Sequence, residues 1–287
     1  MGCDPVTVYL LIKHRFMKSL FIYSLWFLLL QSLVSAAQDP ADTLLQEEED
    51  PTLRFFRNAE KPSDAERFTL VGINGQTMTL AAWLKQKAYQ SGEQVLADLD
   101  HDGRKELLLY GYTGGAHCCD AITVFRESAP RRYQQAGTLY AGHTIVKSDG
   151  TFLFDLYEQF GYFFTCYACG LTDTSDAAPI DVSVVRVIYT KGRLAVVPGD
   201  QELRSLILDN LGKLRERPYV KFDDAVIQDE GQRKAFALNL AVYYFSFGKN
   251  LTATRQLFFQ YYKFPDAVTV WAAFLKTLNG VRRGNSF

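Results

Sequence analysis

Past Gly199 the apolar residues change their spacing. Leu203, Leu206, Ile207, Asn210 and Leu211 fall at i, i+3, i+4, i+7 and i+8, the repeat of a helix with one buried face. Ahead of that point, Val182, Val184, Val185, Val187, Ile188 and Tyr189 form a β-branched run too dense for a helix. The fold class expected is α+β, an antiparallel β-rich domain (sheet or sandwich) with a C-terminal helical bundle. Short strands are expected at 94–97, 106–111, 119–125, 143–147, 151–157, 162–166 and 182–189, and Lys191-Gly192 turns the last into 193–197. Asn74-Gly75 lies between strand-like runs at 68–73 and 76–80 and suits a type I′ hairpin. A short helix is expected at 81–90. In the C-terminal part, 235–247 is apolar on nearly every face and reads as a buried helix. Segments 257–262 and 265–278 read as two more, with Pro265 at a first helical position.

Composition narrows the classes. Hydrophobic residues make up 48% of the 287, with 21 Phe, 16 Tyr and 3 Trp, so the chain has the apolar side chains that disordered proteins lack. Lys plus Arg (31) nearly cancels Asp plus Glu (32), which leaves no basic field for nucleic acid or anionic lipid.

Lys13, Arg15 and Lys18 precede an apolar run at 20–34, and Val34-Ser35-Ala36 follows with small residues at the exit. This is the layout of a secretory signal peptide, residues 1–36, with Met17 as the expected start. Gln31 and Ser32 interrupt the run, and no basic stop-transfer cluster follows, which argues against a retained anchor. The mature chain is expected to be exported, periplasmic or extracellular, with no membrane span after cleavage. Residues 37–62, with Gln46-Glu47-Glu48-Glu49-Asp50-Pro51, read as an acidic linker. Residues 63–199 form the β-rich domain, and 200–287 the helical part.

The sharpest motif is Asp98-Leu99-Asp100-His101-Asp102-Gly103-Arg104-Lys105-Glu106. Carboxylates at the first, third and fifth positions of a tight loop converge on one point, and glycine at the sixth permits the turn beneath them. Calcium, a hard cation, takes such oxygens. An EF-hand would need a bidentate Glu at the twelfth position, which here is Leu109. The apolar alternation on both sides instead suggests strand–loop–strand, with Glu106 as the remaining acidic ligand. The alternatives are a metal-free turn with solvated carboxylates and a catalytic divalent metal.

The stretch 95–109 resembles an FG-GAP or VCBS repeat, the calcium-binding hairpin of integrin-type propellers. The resemblance implies a structural Ca2+ held by the side chains of Asp98, Asp100, Asp102 and Glu106 and the carbonyl of Arg104. It covers about twenty residues in a single copy, so it does not imply a propeller, which needs several blades. The continuation, Tyr112-Thr113-Gly114-Gly115-Ala116-His117-Cys118-Cys119, resembles the GGAHCC segment of secreted bacterial proteins with one such loop. That resemblance implies no activity.

Four cysteines remain after residue 36, the adjacent Cys118 and Cys119 and the pair Cys166 and Cys169 in a C-x-x-C. An even count behind an export signal favours disulfides. Cross-pairing between the two groups and local closure of each are both open. Rival readings are a zinc site that adds His117 and a redox dithiol, but a bare Cys-Cys is poor zinc spacing and the C-x-x-C runs into loop-like sequence. No G-x-S-x-G, HExxH, P-loop or GxGxxG occurs. The expected function is an exported non-catalytic binding or structural module, with a protein or glycan partner and no catalytic residue. The alternative is a secreted hydrolase with a site around His117 and a carboxylate such as Asp120 or Glu158.

Overall fold

In this computed structural model the described residues are 51–287, except 88, 90, 113, 115–119, 148, 172–179 and 224–228. The chain opens with helix α1 (Pro51–Asn58) and a 3-10 turn (Ala65–Arg67). Next come β1 (Thr69–Val71), β2 (Thr77–Thr79), α2 (Leu80–Lys87), β3 (Ser91–Ala97), β4 (Glu106–Tyr112), β5 (Asp120–Ala129) and β6 (Arg132–Tyr140). The order continues with β7 (Thr144–Val146), β8 (Thr151–Asp155), α3 (Tyr157–Phe160), β9 (Val184–Thr190) and β10 (Arg193–Val196). Four helices end the chain: α4 (Gln201–Glu216), α5 (Gln232–Ser246), α6 (Leu251–Tyr261) and α7 (Ala267–Gly284). The class is α+β, as the change of period at Gly199 predicts.

Two sheets hold the strands, one in the order β2-β1-β6-β5-β4-β3 and one in the order β10-β9-β8-β7. All pairs are antiparallel except β1 with β6. β4 shows why its sequence is continuously apolar. Leu107 and Leu109 face a cluster with Leu70, Trp83 and Phe125, while Leu108 faces Val95, Ile122 and Val124 in the main core. Successive strand residues point to opposite faces, so a strand covered on both needs apolar residues throughout. The main core continues without a break through Phe152, Val185 and Val187 into Ile207, Phe236, Leu240 and Phe274. Sheets and C-terminal helices therefore share one interior, and Asp50–Phe287 forms one compact unit.

Helix α1 corrects part of the expected 37–62 linker. Its Phe56 is 1% exposed in the main core and its ring lies 5.5 Å from that of Tyr110. β3 and β7 are edge strands of the two sheets, and α1 lies against both. Thr52 Oγ1 donates to the carbonyl of Thr144 (2.8 Å) and accepts from the amide of Val146 (3.2 Å). It gives β7 the bonds that a neighbouring strand would supply, and so blunts an exposed edge.

Three other expectations change. Of Asn74-Gly75 only the glycine has a positive φ (81°), and the Asn74 carboxamide accepts from the amide of Gln76, so the turn is a longer loop and not type I′. Segment 162–166 is not a strand. The carbonyl of Cys166 at its end, and that of Tyr167 just after it, turn inward to the buried ammonium of Lys234, at 3.3 Å and 2.8 Å. Pro265 precedes Asp266, the cap of α7, and does not stand at its first position.

α5 is buried along almost its whole length, as its sequence suggests, and α4, α6, α7 and β9 pack around it. Its first turn carries two charges into the interior. Arg233, 1% exposed, binds Asp229 Oδ2 (3.0 Å), Asp266 Oδ2 (2.7 Å) and the carbonyl of Val220 (2.8 Å). Tyr262 donates to the other oxygen of Asp266 at 2.9 Å.

Candidate metal centre

The β3–β4 hairpin builds the centre. The last register pair is Ala97 with Glu106, so 98–105 is the connecting loop. Backbone amides shape it: Asp98 Oδ1 accepts from Asp102 N (3.1 Å) and Asp98 Oδ2 from Gly103 N (3.0 Å). Gly103 has φ 87° and His101 φ 57°, the left-handed conformations that tighten the loop. Leu99 is buried in the main core and pins the loop from inside.

Asp98, Asp100 and Glu106 come together, with one oxygen from each lying within 4.8 Å of the other two. Two oxygens on opposite sides of one calcium, each at about 2.4 Å, stand about that far apart. Glu106 is 3% exposed, and its Oε2 accepts from Leu99 N at 3.0 Å. Burial pushes its carboxyl up to about 7, with the Asp100 and Asp102 charges adding to the rise; the Leu99 amide and a hydrogen bond from Tyr189 work against it. Asp100 Oδ1 is shielded from solvent and has no hydrogen-bond partner among the described residues. A buried carboxylate oxygen without a donor is costly. This group can hold a metal ion, and oxygen-only donors suit a hard cation.

Of the other two expected ligands, Asp102 stands outside this group. It is exposed and turns Oδ1 to the amide of Arg104 (2.8 Å). Arg104 is also exposed. The role of Tyr189 was not readable, because β9 lies far along the chain from the motif. The sequence offered one indirect signal: a tyrosine near the end of a strand rich in β-branched residues.

Cys166 and Cys169 are joined to each other, with Cα atoms 5.1 Å apart, which removes both from a cross-pairing, a zinc site or a free dithiol. Cys118, Cys119 and His117 lie outside the described residues. Asp120 Oδ2 stands 3.7 Å from His143 Nδ1, and Glu158 Oε1 accepts from the Tyr167 hydroxyl at 2.6 Å. No helix among the described residues is long and apolar enough to cross a membrane.

Comparison of the chain with protein-family models, with curated proteins and with solved structures found no match.

Proposed function

We propose that this chain is an exported, non-catalytic binding or structural module whose β3–β4 hairpin is held by one calcium ion. The observation that carries the reading is the convergence of Asp98, Asp100 and Glu106, together with an Asp100 oxygen, Oδ1, that has no donor among the described residues. Calcium is favoured over magnesium because the donors sit on an irregular loop, and calcium accepts six to eight oxygens in flexible geometry. The resemblance of 95–109 to an FG-GAP or VCBS hairpin supports the same ion. Export is supported by the basic, apolar and small-residue order of 13–36.

In this role the ion neutralises carboxylates that repel one another and fixes a loop that touches both sheets. Tyr189 of β9 hydrogen-bonds Glu106, so an ordered loop also ties the four-stranded sheet to the six-stranded one. Isothermal titration of the chelator-treated chain with Ca2+ tests the reading. One binding event per chain, lost in Asp100→Ala, supports it; no uptake of the ion overturns it.

A further inference from the structure

Four buried side-chain polar atoms have no hydrogen-bond partner among the described residues, and two of them belong to residues of one cleft: Glu158 Oε2 and Thr165 Oγ1. The cleft, about 720 Å³, lies between α3 with the turn after it and the outer face of α7. That volume is in the range of sites for small molecules. Thr165 is 7% exposed, so its hydroxyl has been taken from water with no replacement among the described residues. Glu158 is held by one oxygen only. Its Oε1 accepts from the Tyr167 hydroxyl, while the backbone carbonyl of Tyr167 accepts from the Tyr157 hydroxyl (2.7 Å) and from the buried Lys234 Nζ (2.8 Å).

Two further features fall on the same wall. Phe164 has φ 56°, a left-handed conformation that a bulky side chain rarely takes, and the ring of Phe163 lies 5.0 Å from its own. Across the cleft, α7 presents Lys276 and Arg283, neither of which forms an ion pair or hydrogen bond among the described residues. The cleft thus sets an incompletely bonded acid and a buried hydroxyl on one side and two exposed cations on the other, with rings between and a second carboxylate, Asp223, also on its lining. A single buried water would satisfy the two oxygens but leave the cations and rings unexplained.

We propose that this cleft binds a zwitterion with an apolar side chain, a free amino acid or dipeptide. Its ammonium group donates to Glu158 and Thr165 after a turn of these two side chains, whose oxygens are closed to water in the free chain; its carboxylate meets Lys276 and Arg283, and its side chain lies against Phe163 and Phe164. The proposal gives a ligand to the binding-module reading and rests on that reading for its setting, but the acidic loop takes no part in it.

Calorimetric titration of the full exported chain with three probes tests it: L-phenylalanine, N-acetyl-L-phenylalanine without the ammonium, and L-phenylalaninamide without the carboxylate. Phenylalanine is expected to bind with millimolar or tighter affinity, and each blocked probe at least about tenfold more weakly. Glu158→Gln keeps an acceptor for Tyr167, and Lys276→Met changes an exposed residue. Each is expected to weaken phenylalanine about tenfold or more while the melting temperature holds. Absence of binding at about 10 mM phenylalanine, or equal binding of all three probes, overturns the proposal. Repeating the titration with chelator separates the two readings: binding of phenylalanine should persist when calcium is removed. If phenylalanine fails while calcium still binds, the cleft proposal falls alone.

Discussion

Gly150, in the turn between β7 and β8, lies against the carbonyl oxygen of Leu99 so closely that a Cβ there would overlap it, and its φ is +76°. A turn of the four-stranded sheet is thereby seated on the acidic loop of the six-stranded one. Together with the Tyr189–Glu106 hydrogen bond, this makes the loop a joint between sheets.

Gly150→Ala should therefore act twice. Backbone strain and displacement of Leu99 are expected to cost about 1–3 kcal/mol of stability. The calcium response should weaken as well, because Leu99 lies between Asp98 and Asp100. Denaturant unfolding with and without the ion checks both. A variant as stable as the parent would show that the turn is not held against the loop.

Arg233 compensates a fully buried carboxylate, Asp229, and a partly buried one, Asp266. Arg233→Met keeps much of the volume but strands Asp229 without a counter-charge. The expected loss is about 3–5 kcal/mol, since breaking a buried pair leaves a charge with no compensation. Equilibrium unfolding measures it. A loss below about 1 kcal/mol, the size typical of an exposed pair, would contradict the account.

Burial pushes the phenol of Tyr133 up to about 12 and raises Tyr157, Tyr167, Tyr189 and Tyr262 as well. A raised pKa means that the unfolded chain loses its protons first. The stabilisation is whole below the ordinary value of 10.0 and is lost as pH rises through the folded values. Stability should thus fall steeply above about pH 10, with part of the tyrosinate absorbance appearing only as the fold is lost. Complete titration of every tyrosine before any change in circular dichroism would contradict this.

Cys166 and Cys169 close the short loop whose carbonyls, Cys166 and Tyr167, receive the Lys234 ammonium. Replacing both cysteines by alanine should cost about 2 kcal/mol, the chain-entropy value for a loop this short. Urea midpoints of the two proteins decide it, and an unchanged midpoint would mean that Lys234 alone orders the loop.

Much of this architecture was legible because it is local. The β-branched run of β9 and the all-round apolar α5 each declare their state within one element. The aspartate spacing likewise brings Asp98, Asp100 and Glu106 into one group. The failures have a different origin. β6 was not expected, because Gln134, Gln135 and Gly137 interrupt its apolar alternation; only pairing with β5 and β1 on either side makes it a strand. Arg233 and Lys234 look in sequence like the solvated start of a helix. Their burial depends on Asp229, Asp266 and the carbonyls after α3, which no local pattern connects to them. Asp102 fits the spacing of a ligand, yet its carboxylate lies outside the converging group, a placement that residue type alone does not reveal.

The central claim is that a divalent cation belongs among Asp98, Asp100 and Glu106. Thermal melts of the chelator-treated chain, with and without Ca2+, test it most directly, beside Asp100→Asn, which removes a charge but keeps the shape. Linkage predicts that calcium at a hundredfold excess over Kd stabilises the parent by about 2.7 kcal/mol. Asp100→Asn should melt at or above the parent's temperature without the ion, since repulsion is relieved, and gain little when calcium is added. A parent melting temperature unmoved by calcium after confirmed metal removal would contradict the account.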